Sequence, residues 1–468
     1  MKYDYDFAII GAGASGLIAA DFALKLGARV VIVEKDRIGG DCTWSGCVPS
    51  KSLIKAASVA HAVQHASHFG VGAEARPTDM PKVRAWLNST IEHIYAPTTP
   101  EALHAKGLKV LLGSASFVDA HTIQVGKEQI TAGTFLINTG AQPRIPSIAG
   151  LDELPYLTYK QIFQNDRLPR RLIVVGGGPI GCEIAQSYCR LGAHVSLVAE
   201  ALLPREEPEA STVLAAVFAA EGIEWVHGRA TAASRLGDQF ILTTHAREVH
   251  GDMLLIATGR LPVVQELGLE RAGVRYTPEG IEVDAHLRTS ARNIYAAGDV
   301  LGGPQYSHLA GWQGFQATRN ALLPGNAPGT PRAMPRVTFT SPEVARVGLN
   351  EQQARRKYGD RLRVGTMALT RVDRAVSEDD TRGFLKLLAL SDGKIIGSTF
   401  VGERASEAIT EIVIAIDRGI TLQQLAGVVH PYPTYAIGLQ FLATDMAMQQ
   451  TFNNTKGRIL RTLSRLYR

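Results

Sequence analysis

Residues 7–16 read FAIIGAGASG, a short apolar run that ends in the pattern Gly11-x-Gly13-x-x-Gly16. An alanine-rich segment follows, and then a second apolar run that ends at Glu34. This order predicts a strand, a tight glycine turn, a helix and a second strand. In such a βαβ unit the helix N-terminus faces the pyrophosphate of a dinucleotide, and the acidic residue accepts hydrogen bonds from a ribose. We therefore predict a dinucleotide-binding site at this turn.

A second unit of the same kind begins at residues 172–181, which read LIVVGGGPIG. Its turn carries Gly176, Gly178 and Gly181, and a helix-like segment and another apolar run follow. Two dinucleotide sites on one chain indicate a flavin and a nicotinamide, with a hydride passing between them. The two units together predict an α/β redox protein.

Residues 39–51 read GGDCTWSGCVPSK and contain two of the four cysteines, Cys42 and Cys47. Zinc sites use closer pairs and need two further ligands, and no matching pair follows in the sequence. A Cys-x4-Cys pair that opens a helix can instead close a small disulfide ring. When the ring opens, the helix N-terminus and the nearby Lys51 stabilise one thiolate. The pattern therefore predicts a redox-active dithiol.

Composition narrows the class of protein. The chain has 468 residues, 45% hydrophobic and 20% charged, which is typical of about three domains. Its net charge of +5, from 49 basic and 44 acidic residues, is too close to balance for nucleic acid as a main partner. No apolar run approaches the roughly 20 residues that span a bilayer. The sequence starts with a predicted strand and no secretory signal, so we expect a cytoplasmic protein whose disulfide is catalytic.

Three later segments complete the pattern. Two apolar runs end in Thr-Gly, at Thr139-Gly140 and within residues 257–260, which read ATGR. Residues 293–300 read NIYAAGDV and predict a strand that delivers Asp299 into a glycine-rich loop. From about Pro335 onward, alternating strands and two helices predict a separate α+β domain.

These motifs, in this order and at these spacings, resemble the pyridine nucleotide–disulfide oxidoreductases. That flavin-dependent family includes dihydrolipoamide dehydrogenase, glutathione reductase and mercuric reductase, and the resemblance covers essentially the whole chain. It implies an α/β fold with two Rossmann-like dinucleotide-binding domains and a C-terminal α+β dimerisation domain. The implied boundaries are 1–150 with 272–330 for a split FAD domain, 151–271 for the NAD(P) domain and 335–468 for dimerisation. It also implies a homodimer whose active sites take residues from both chains.

The resemblance implies a role for each thiol and for nearby charged groups. Cys47 is expected against the flavin, and Cys42 is expected as the outer thiol that meets the substrate. Lys51 matches a lysine near the flavin N5 and Glu183 matches its ion-pair partner; the alternative is a helix-surface lysine and a solvated glutamate. The other implied FAD contacts are Gly11, Gly13, Ser15, Gly16, Glu34, Lys35, Gly40, Thr139, Gly140, Gly298 and Asp299. The implied NAD(P) contacts are Gly176, Gly178, Ile180, Gly181, Glu200, Gly259 and Arg260.

One segment departs from the disulfide-reducing members. Residues 429–439 read VHPYPTYAIGL. The dihydrolipoamide and glutathione enzymes carry here a histidine base and an orienting glutamate, and this chain has Tyr432 and Ile437 at those positions. Tyrosine, with an ordinary pKa of about 10, does not readily shuttle a proton at neutral pH. His430 is either a substitute base or a turn residue before proline.

Mercuric reductase resembles this segment better, because it also has a Pro-Tyr pair and a threonine two residues on. Its C-terminal cysteine pair and its N-terminal metal-capturing module are not expected here. The expected acceptor is therefore a metal ion held transiently by Cys42 and Cys47, a quinone-like molecule or a disulfide. The alternatives are a dihydrolipoamide- or glutathione-type reductase and, in another class, a flavin-loaded redox sensor or interaction protein.

Two further expectations concern the nicotinamide and the tail. Glu200 lies at or one past the position that meets the nicotinamide ribose, and the first arginine after it is Arg205. NADH is therefore favoured over NADPH. Residues 456–468 predict a basic amphipathic helix that either contacts an acidic membrane surface, stays in solvent or packs at the dimer edge.

Overall fold

The computed structural model describes residues 3–452 and 455–468. Met1 and Lys2, at the start where no secretory signal is expected, lie outside the described residues. The chain divides into two compact units. The first comprises Met1–Gly176, Ser187–Ala199 and Val226–Pro331. The second comprises Gly177–Gln186, Glu200–Trp225 and Arg332–Arg468.

The helices and strands are numbered along the chain. The helices are α1 (Ala14–Lys25), α2 (Gly40–Trp44), α3 (Cys47–His65), α4 (Met80–Tyr95), α5 (Pro100–Ala105), α6 (Pro179–Arg190), α7 (Pro208–Glu221), α8 (Ser307–Leu322), α9 (Glu351–Tyr358), α10 (Asp373–Ser377), α11 (Ala405–Arg418), α12 (Leu422–Ala426), α13 (Ile437–Phe452) and α14 (Thr455–Leu466). The strands are β1 (Tyr5–Ile10), β2 (Val30–Glu34), β3 (Lys109–Leu112), β4 (Ala115–Asp119), β5 (Thr122–Val125), β6 (Glu128–Ile137), β7 (Ala141–Pro143), β8 (Arg171–Val175), β9 (His194–Ala199), β10 (Glu224–His227), β11 (Ala230–Leu236), β12 (Gln239–Thr244), β13 (Glu248–Gly251), β14 (Met253–Ile256), β15 (Arg260–Pro262), β16 (Tyr276–Thr277), β17 (Gly280–Ile281), β18 (Ile294–Ala296), β19 (Arg336–Thr338), β20 (Glu343–Gly348), β21 (Leu362–Ala368), β22 (Phe384–Leu390) and β23 (Ile395–Gly402).

The first unit is built on a sheet of order β3-β2-β1-β6-β5-β4, with β18 also pairing with β6. β1 runs parallel to β2 and β6, and Ile9 lies opposite Ile32. Phe7 and Ile9 join one core cluster, whereas Ala8 and Ile10 join another. Both faces of β1 are therefore buried, which explains its uninterrupted apolar sequence. The strand order diverges on either side of β1, and in such sheets ligands bind at the carboxyl ends of the diverging strands.

Most of a second parallel sheet lies in the same unit. This sheet has the order β10-β9-β8-β14, and Val174 of β8 lies opposite Leu197 and Leu255. An antiparallel sheet, β11-β12-β13, follows along the chain. The second βαβ pattern of the sequence thus forms the parallel sheet that it predicts.

The second unit contains an antiparallel sheet of order β19-β20-β23-β22-β21. Its core cluster joins strand residues Leu385 and Phe400 with Ile412 of α11 and Leu439 of α13. The predicted fold class, α/β with a C-terminal α+β region, is confirmed. The domain boundaries given above stay a prediction. Within residues 3–452 and 455–468, no helix combines the length and apolar character needed to cross a bilayer.

Candidate active site: a dithiol beside a glycine turn

The first glycine turn has the geometry that a pyrophosphate needs. Gly11 has φ +105°, and a Cβ there would lie 2.5 Å from the carbonyl oxygen of Asn138. A Cβ on Gly16 would lie 2.1 Å from the Gly11 carbonyl oxygen, whereas one on Gly13 would meet nothing within 4 Å. Gly13 precedes α1 and offers no side-chain cap to its first N–H groups. Two glycines thus permit close packing, and the third leaves an open approach to the helix N-terminus.

Two buried polar atoms beside this turn lack a hydrogen-bond partner. Among the described residues they are Ser15 Oγ, in the first turn of α1, and Asn138 Oδ1, just after β6. Asn138 Nδ2 donates to the Gly11 carbonyl oxygen at 2.9 Å, which fixes the amide against the turn. Buried polar atoms are usually satisfied, so these two point to a polar ligand. The residues present therefore fit a dinucleotide such as FAD.

Glu34 ends β2 and lies against the same turn. Its Oε2 accepts a hydrogen bond from the Ala12 N–H at 2.7 Å, and its Oε1 accepts one from the Asp36 N–H at 2.8 Å. These bonds hold the buried carboxylate in place, and each oxygen retains a further lone pair for a ribose hydroxyl. Lys35, also predicted to contact FAD, is exposed beside it.

The other predicted FAD residues gather at the same edge of the sheet. Thr139 and Gly140 follow β6, and Gly298 and Asp299 follow β18, which pairs with β6 in parallel. Because parallel neighbours end at the same edge, the two loops lie together. Thr139 Oγ1 donates to the Val263 carbonyl oxygen at 2.7 Å, which ties the loop after β6 to the chain beyond β15.

The dithiol segment packs directly on the glycine turn. The Gly39 N–H donates to the Ala12 carbonyl oxygen at 2.8 Å. A Cβ on Gly40 would lie 3.0 Å from Gly13 Cα, so this contact leaves little room for a side chain. The sequence separates the two motifs, but the structure makes them one site.

Cys42 lies in α2 and Cys47 is the first residue of α3, and both are thiols in this structure. Cys42 is half-buried, whereas Cys47 is exposed and its Sγ lies 3.2 Å from Ser307 Oγ. Hydrogen bonding with Cys47, together with burial, raises the pKa of the Cys42 thiol. At the N-terminus of α3 the helix dipole favours a thiolate on Cys47. The pair is thus arranged to keep a proton on Cys42.

A partly buried charge network surrounds Asp41, the residue before Cys42. Asp41 Oδ2 accepts from Arg260 Nη2 at 2.8 Å and from the Tyr159 hydroxyl at 2.9 Å, and Lys160 pairs with its other oxygen. Arg260 Nη1 also donates to Asp299 Oδ2 at 2.6 Å. Burial alone raises the pKa of Asp41, but Arg260 and Lys160 together outweigh burial and lower it.

Sequence reasoning missed this network, because nothing local marks Asp41 or Lys160 as partners. Arg260 was predicted to contact the nicotinamide, and the structure places its guanidinium between Asp41 and Asp299. Its contact with NAD(P) stays a prediction. The network links the dithiol segment to Asp299, the residue predicted to hold the flavin.

Lys51 and Glu183 belong to different units. Lys51 Nζ donates to Ser50 Oγ at 3.3 Å in the first unit. Glu183 Oε1 accepts from the Phe339 N–H at 2.8 Å in the second. Their mutual ion pair stays a prediction.

The second glycine turn repeats features of the first. Gly176 has φ +122°, and a Cβ there would lie 2.3 Å from the Ala257 carbonyl oxygen. A Cβ on Gly178 or on Gly259 would meet nothing within 4 Å. Ile180 and Gly181 follow in α6, and Glu200 is exposed just after β9. That these positions hold a second dinucleotide, and that it is NADH instead of NADPH, stays a prediction.

Comparison with known proteins agrees with this geometry. The family profile of the pyridine nucleotide-disulphide oxidoreductases matches residues 5–314, and that of their dimerisation domain matches residues 334–440. The chain belongs to the pyridine nucleotide-disulphide oxidoreductases. It is accordingly an FAD-dependent enzyme that uses NAD(P)H, and its dimerisation domain indicates a homodimer. Membership in an enzyme family does not support the alternative of a redox sensor.

Several known members are similar over nearly the full chain. Mercuric reductase of Streptomyces lividans is 38% identical over 454 residues, which are 94% of this chain and 95% of that protein. Dihydrolipoyl dehydrogenase of Geobacillus stearothermophilus is 33% identical over 441 residues, 91% of this chain and 93% of that protein. The Cu(II) complex of the HOCl-induced flavoprotein disulfide reductase RclA from Escherichia coli superposes with a TM-score of 0.85 at 26% identity. That superposition covers 94% of this chain and 99% of RclA.

Residues 429–439 are the segment that departs from the disulfide-reducing oxidoreductases, and Tyr432 and His430 within it form hydrogen bonds with other parts of the protein. Tyr432 is 65% exposed, and its hydroxyl donates to Asp373 Oδ2 at 2.7 Å. This bond to a carboxylate raises the pKa of Tyr432, so the phenol stays protonated at neutral pH. Ile437, at the position of the orienting glutamate, is buried.

His430 is held from both sides. Its Nδ1 lies 3.0 Å from the Val428 carbonyl oxygen, and its Nε2 lies 2.7 Å from Glu411 Oε1. Both ring nitrogens are thus engaged by groups of the protein itself. The side chain is also only 7% exposed. This geometry supports the structural alternative for His430.

Proposed function

We propose that this enzyme passes two electrons from NAD(P)H through the Cys42–Cys47 dithiol to a thiophilic metal ion. With mercuric ion as the acceptor the reaction balances as NAD(P)H + Hg²⁺ → NAD(P)⁺ + H⁺ + Hg⁰. The metal is a substrate in this proposal. FAD, when bound, carries the electron pair from the nicotinamide to the disulfide.

The observation that carries the proposal is the Tyr432–Asp373 hydrogen bond at the position where disulfide-reducing relatives have a histidine base. Reduction of a disulfide releases a thiolate that must take up a proton, and a histidine there supplies it. Tyr432 is held protonated by Asp373, and His430 has both ring nitrogens engaged. Reduction of a bound metal ion needs thiolate ligands and electrons but no such proton transfer.

The dithiol suits a soft metal. Thiolate sulfur is the ligand type that selects soft metal ions. In this proposal Cys47 faces the flavin, and Cys42 meets the metal and exchanges it with the outside. Lys51 and Glu183 pair beside the flavin, and Tyr432 of the partner subunit lies next to Cys42. The 38% identity with a mercuric reductase and the likeness to the Cu(II) complex of RclA support the same class of acceptor.

The cofactor contacts and domains complete the proposal. The residues around the first glycine turn hold FAD, with Glu34 on the adenine-side ribose and Asp299 on the ribityl–pyrophosphate region. The second turn holds NADH, with Glu200 on the ribose. The FAD domain spans 1–150 and 272–330, the NAD domain 151–271, and the dimerisation domain 335–468.

A dihydrolipoamide-type reductase is the second candidate, because a dihydrolipoyl dehydrogenase is 33% identical over 441 residues. That function requires a base on the substrate side of Cys42. Neither Tyr432 nor His430, as hydrogen-bonded here, provides one.

An acceptor screen under NADH and NADPH tests the proposal. We expect Hg²⁺ or Cu²⁺ to be reduced with a kcat/KM at least about 100-fold above that for lipoamide or glutathione disulfide. A missing general acid–base group costs about 10²–10⁴-fold in such a step. Cys42→Ser should abolish metal reduction, whereas Cys189→Ser, which changes a cysteine outside the dithiol, should leave it intact. Lipoamide turnover at a rate equal to or above that of the metals would overturn the proposal.

A further inference from the structure

The C-terminal helix α14 separates apolar and basic side chains. Ile459, Leu460, Leu463 and Leu466 recur at the spacing that places them on one face of a helix. Arg461 and Arg465 are four residues apart, so they share a face, and it lies opposite the apolar one. The segment 455–468 contains no aspartate or glutamate.

Nothing within residues 3–452 and 455–468 buries the apolar face of α14. Ile459 is 54% exposed, Leu460 and Leu463 are each 46% exposed, and Leu466 is 77% exposed. A helix that packs on its own domain buries this stripe, and α11 does so with Ile409 and Ile412. The face of α14 is therefore left for something outside the described chain.

We propose that α14 lies in the surface of a membrane that contains anionic lipids. A helix with an apolar face and an arginine-rich face binds in the plane of the bilayer, with its apolar side chains among the acyl chains. The arginines then meet lipid phosphates of opposite charge. A second copy of α14 is a poorer occupant, because pairing the two helices brings together only positive charge.

Flotation of the full-length FAD-loaded enzyme with vesicles tests this proposal. The vesicles are phosphatidylcholine alone or an equal mixture with phosphatidylglycerol. The informative variant is Arg461→Gln/Arg465→Gln, and the matched control is Arg76→Gln/Arg418→Gln. The control arginines are 82% and 77% exposed on other parts of the chain, so both variants lose the same charge.

We expect the wild-type enzyme and the control to bind the anionic vesicles, and to be released by salt. The tail variant should bind about 30-fold more weakly, since each arginine near an anionic surface contributes about 1 kcal/mol. NAD(P)H-dependent activity should be equal in all three, which shows that the variant is folded. Three outcomes would overturn the proposal: the wild-type enzyme binds neutral vesicles as tightly as anionic ones, the control variant loses as much binding as the tail variant, or the wild-type enzyme fails to float with anionic vesicles at low salt. Dissociation of the homodimer by Leu463→Ser/Leu466→Ser would also overturn it, since the face would then belong to a second copy.

Discussion

Replacement of Asp41 by asparagine should destabilise the enzyme by about 3 kcal/mol, because it removes the central anion of a partly buried network. Asp41 is 20% exposed, Arg260 16% and Lys160 35%. Removing one partner of a buried ion pair costs about 3–5 kcal/mol, since the other charge stays buried. The lower end applies here, because Lys160 partly reaches solvent, Arg260 keeps its bond to Asp299, and the amide oxygen still accepts a hydrogen bond.

The assay is thermal unfolding of the FAD-loaded homodimer at one fixed protein concentration. A chain of 468 residues has an unfolding entropy of about 1 kcal/mol/K, so the midpoint shifts by about 1 °C per kcal/mol and Asp41→Asn should lower it by about 3 °C. The matched control is Asp21→Asn, which removes an ion pair with Lys25 at 2.7 Å whose side chains are 62% and 71% exposed. Exposed pairs contribute about 0–1 kcal/mol, so the control should stay within about 1 °C of the wild type.

The loss of stability caused by Asp41→Asn should depend on pH in a defined way. The pKa of Asp41 is lowered in the folded enzyme, so its stabilisation is fully present above its unfolded pKa and is lost as pH falls through the folded value. The difference in unfolding midpoint between the wild type and Asp41→Asn should be constant above about pH 5 and should become smaller below about pH 4. Equal midpoints for Asp41→Asn and Asp21→Asn would refute the reasoning about the network.

Three further predictions follow from the site. Gly13→Ala should fold like the wild type but bind FAD weakly, because the added Cβ enters open space on the ligand side. Gly16→Ala should fail to fold, because its Cβ would lie 2.1 Å from the Gly11 carbonyl oxygen. Soluble yield and flavin absorbance of the two purified variants check this. Tyr432→His/Ile437→Glu should raise lipoamide turnover about 10²–10⁴-fold by restoring an oriented base, and no gain in steady-state rate would contradict the acid–base argument. In the reduced FAD-loaded enzyme, iodoacetamide should label Cys42 before Cys47 even though the pKa of the Cys42 thiol is raised, because the proposed flavin covers Cys47. Peptide mass spectrometry checks the order, and labelling of Cys47 first would exchange the two roles.

Local sequence patterns were sufficient for the nucleotide-binding framework. β1 is apolar at every buried position because both faces are covered, and Gly11 and Gly16 mark places where a Cβ has no room. Such requirements act within one strand–turn–helix segment, so they are visible in the sequence. A separate C-terminal α+β domain was also predicted, from alternating strands and two helices.

Long-range charge pairing was not foreseen. Arg260 lies 219 residues from Asp41 and Lys160 lies 119 residues from it, and no periodicity connects them. The bonds of Tyr432 to Asp373 and of His430 to Glu411 are likewise set by how separate helices pack.

The sequence also did not predict that residues 200–225 belong to the second unit, and the reason is the same. Lys386 of β22, with a side chain only 3% exposed, pairs with Glu209 at 2.6 Å and Glu351 at 2.8 Å. These pairs group residues 200–225 with the C-terminal sheet. Nothing near Glu209 in the sequence predicts a partner so far along the chain.

Anaerobic reductive titration tests the central claim, that Cys42 and Cys47 form the redox centre between flavin and acceptor. The oxidised enzyme should take up about two equivalents of NADH per FAD, because the flavin and the disulfide each accept two electrons. Cys42→Ser should take up about one, and Cys189→Ser should match the wild type. Uptake of only one equivalent by the wild-type enzyme, with unchanged uptake in Cys42→Ser, would contradict the account.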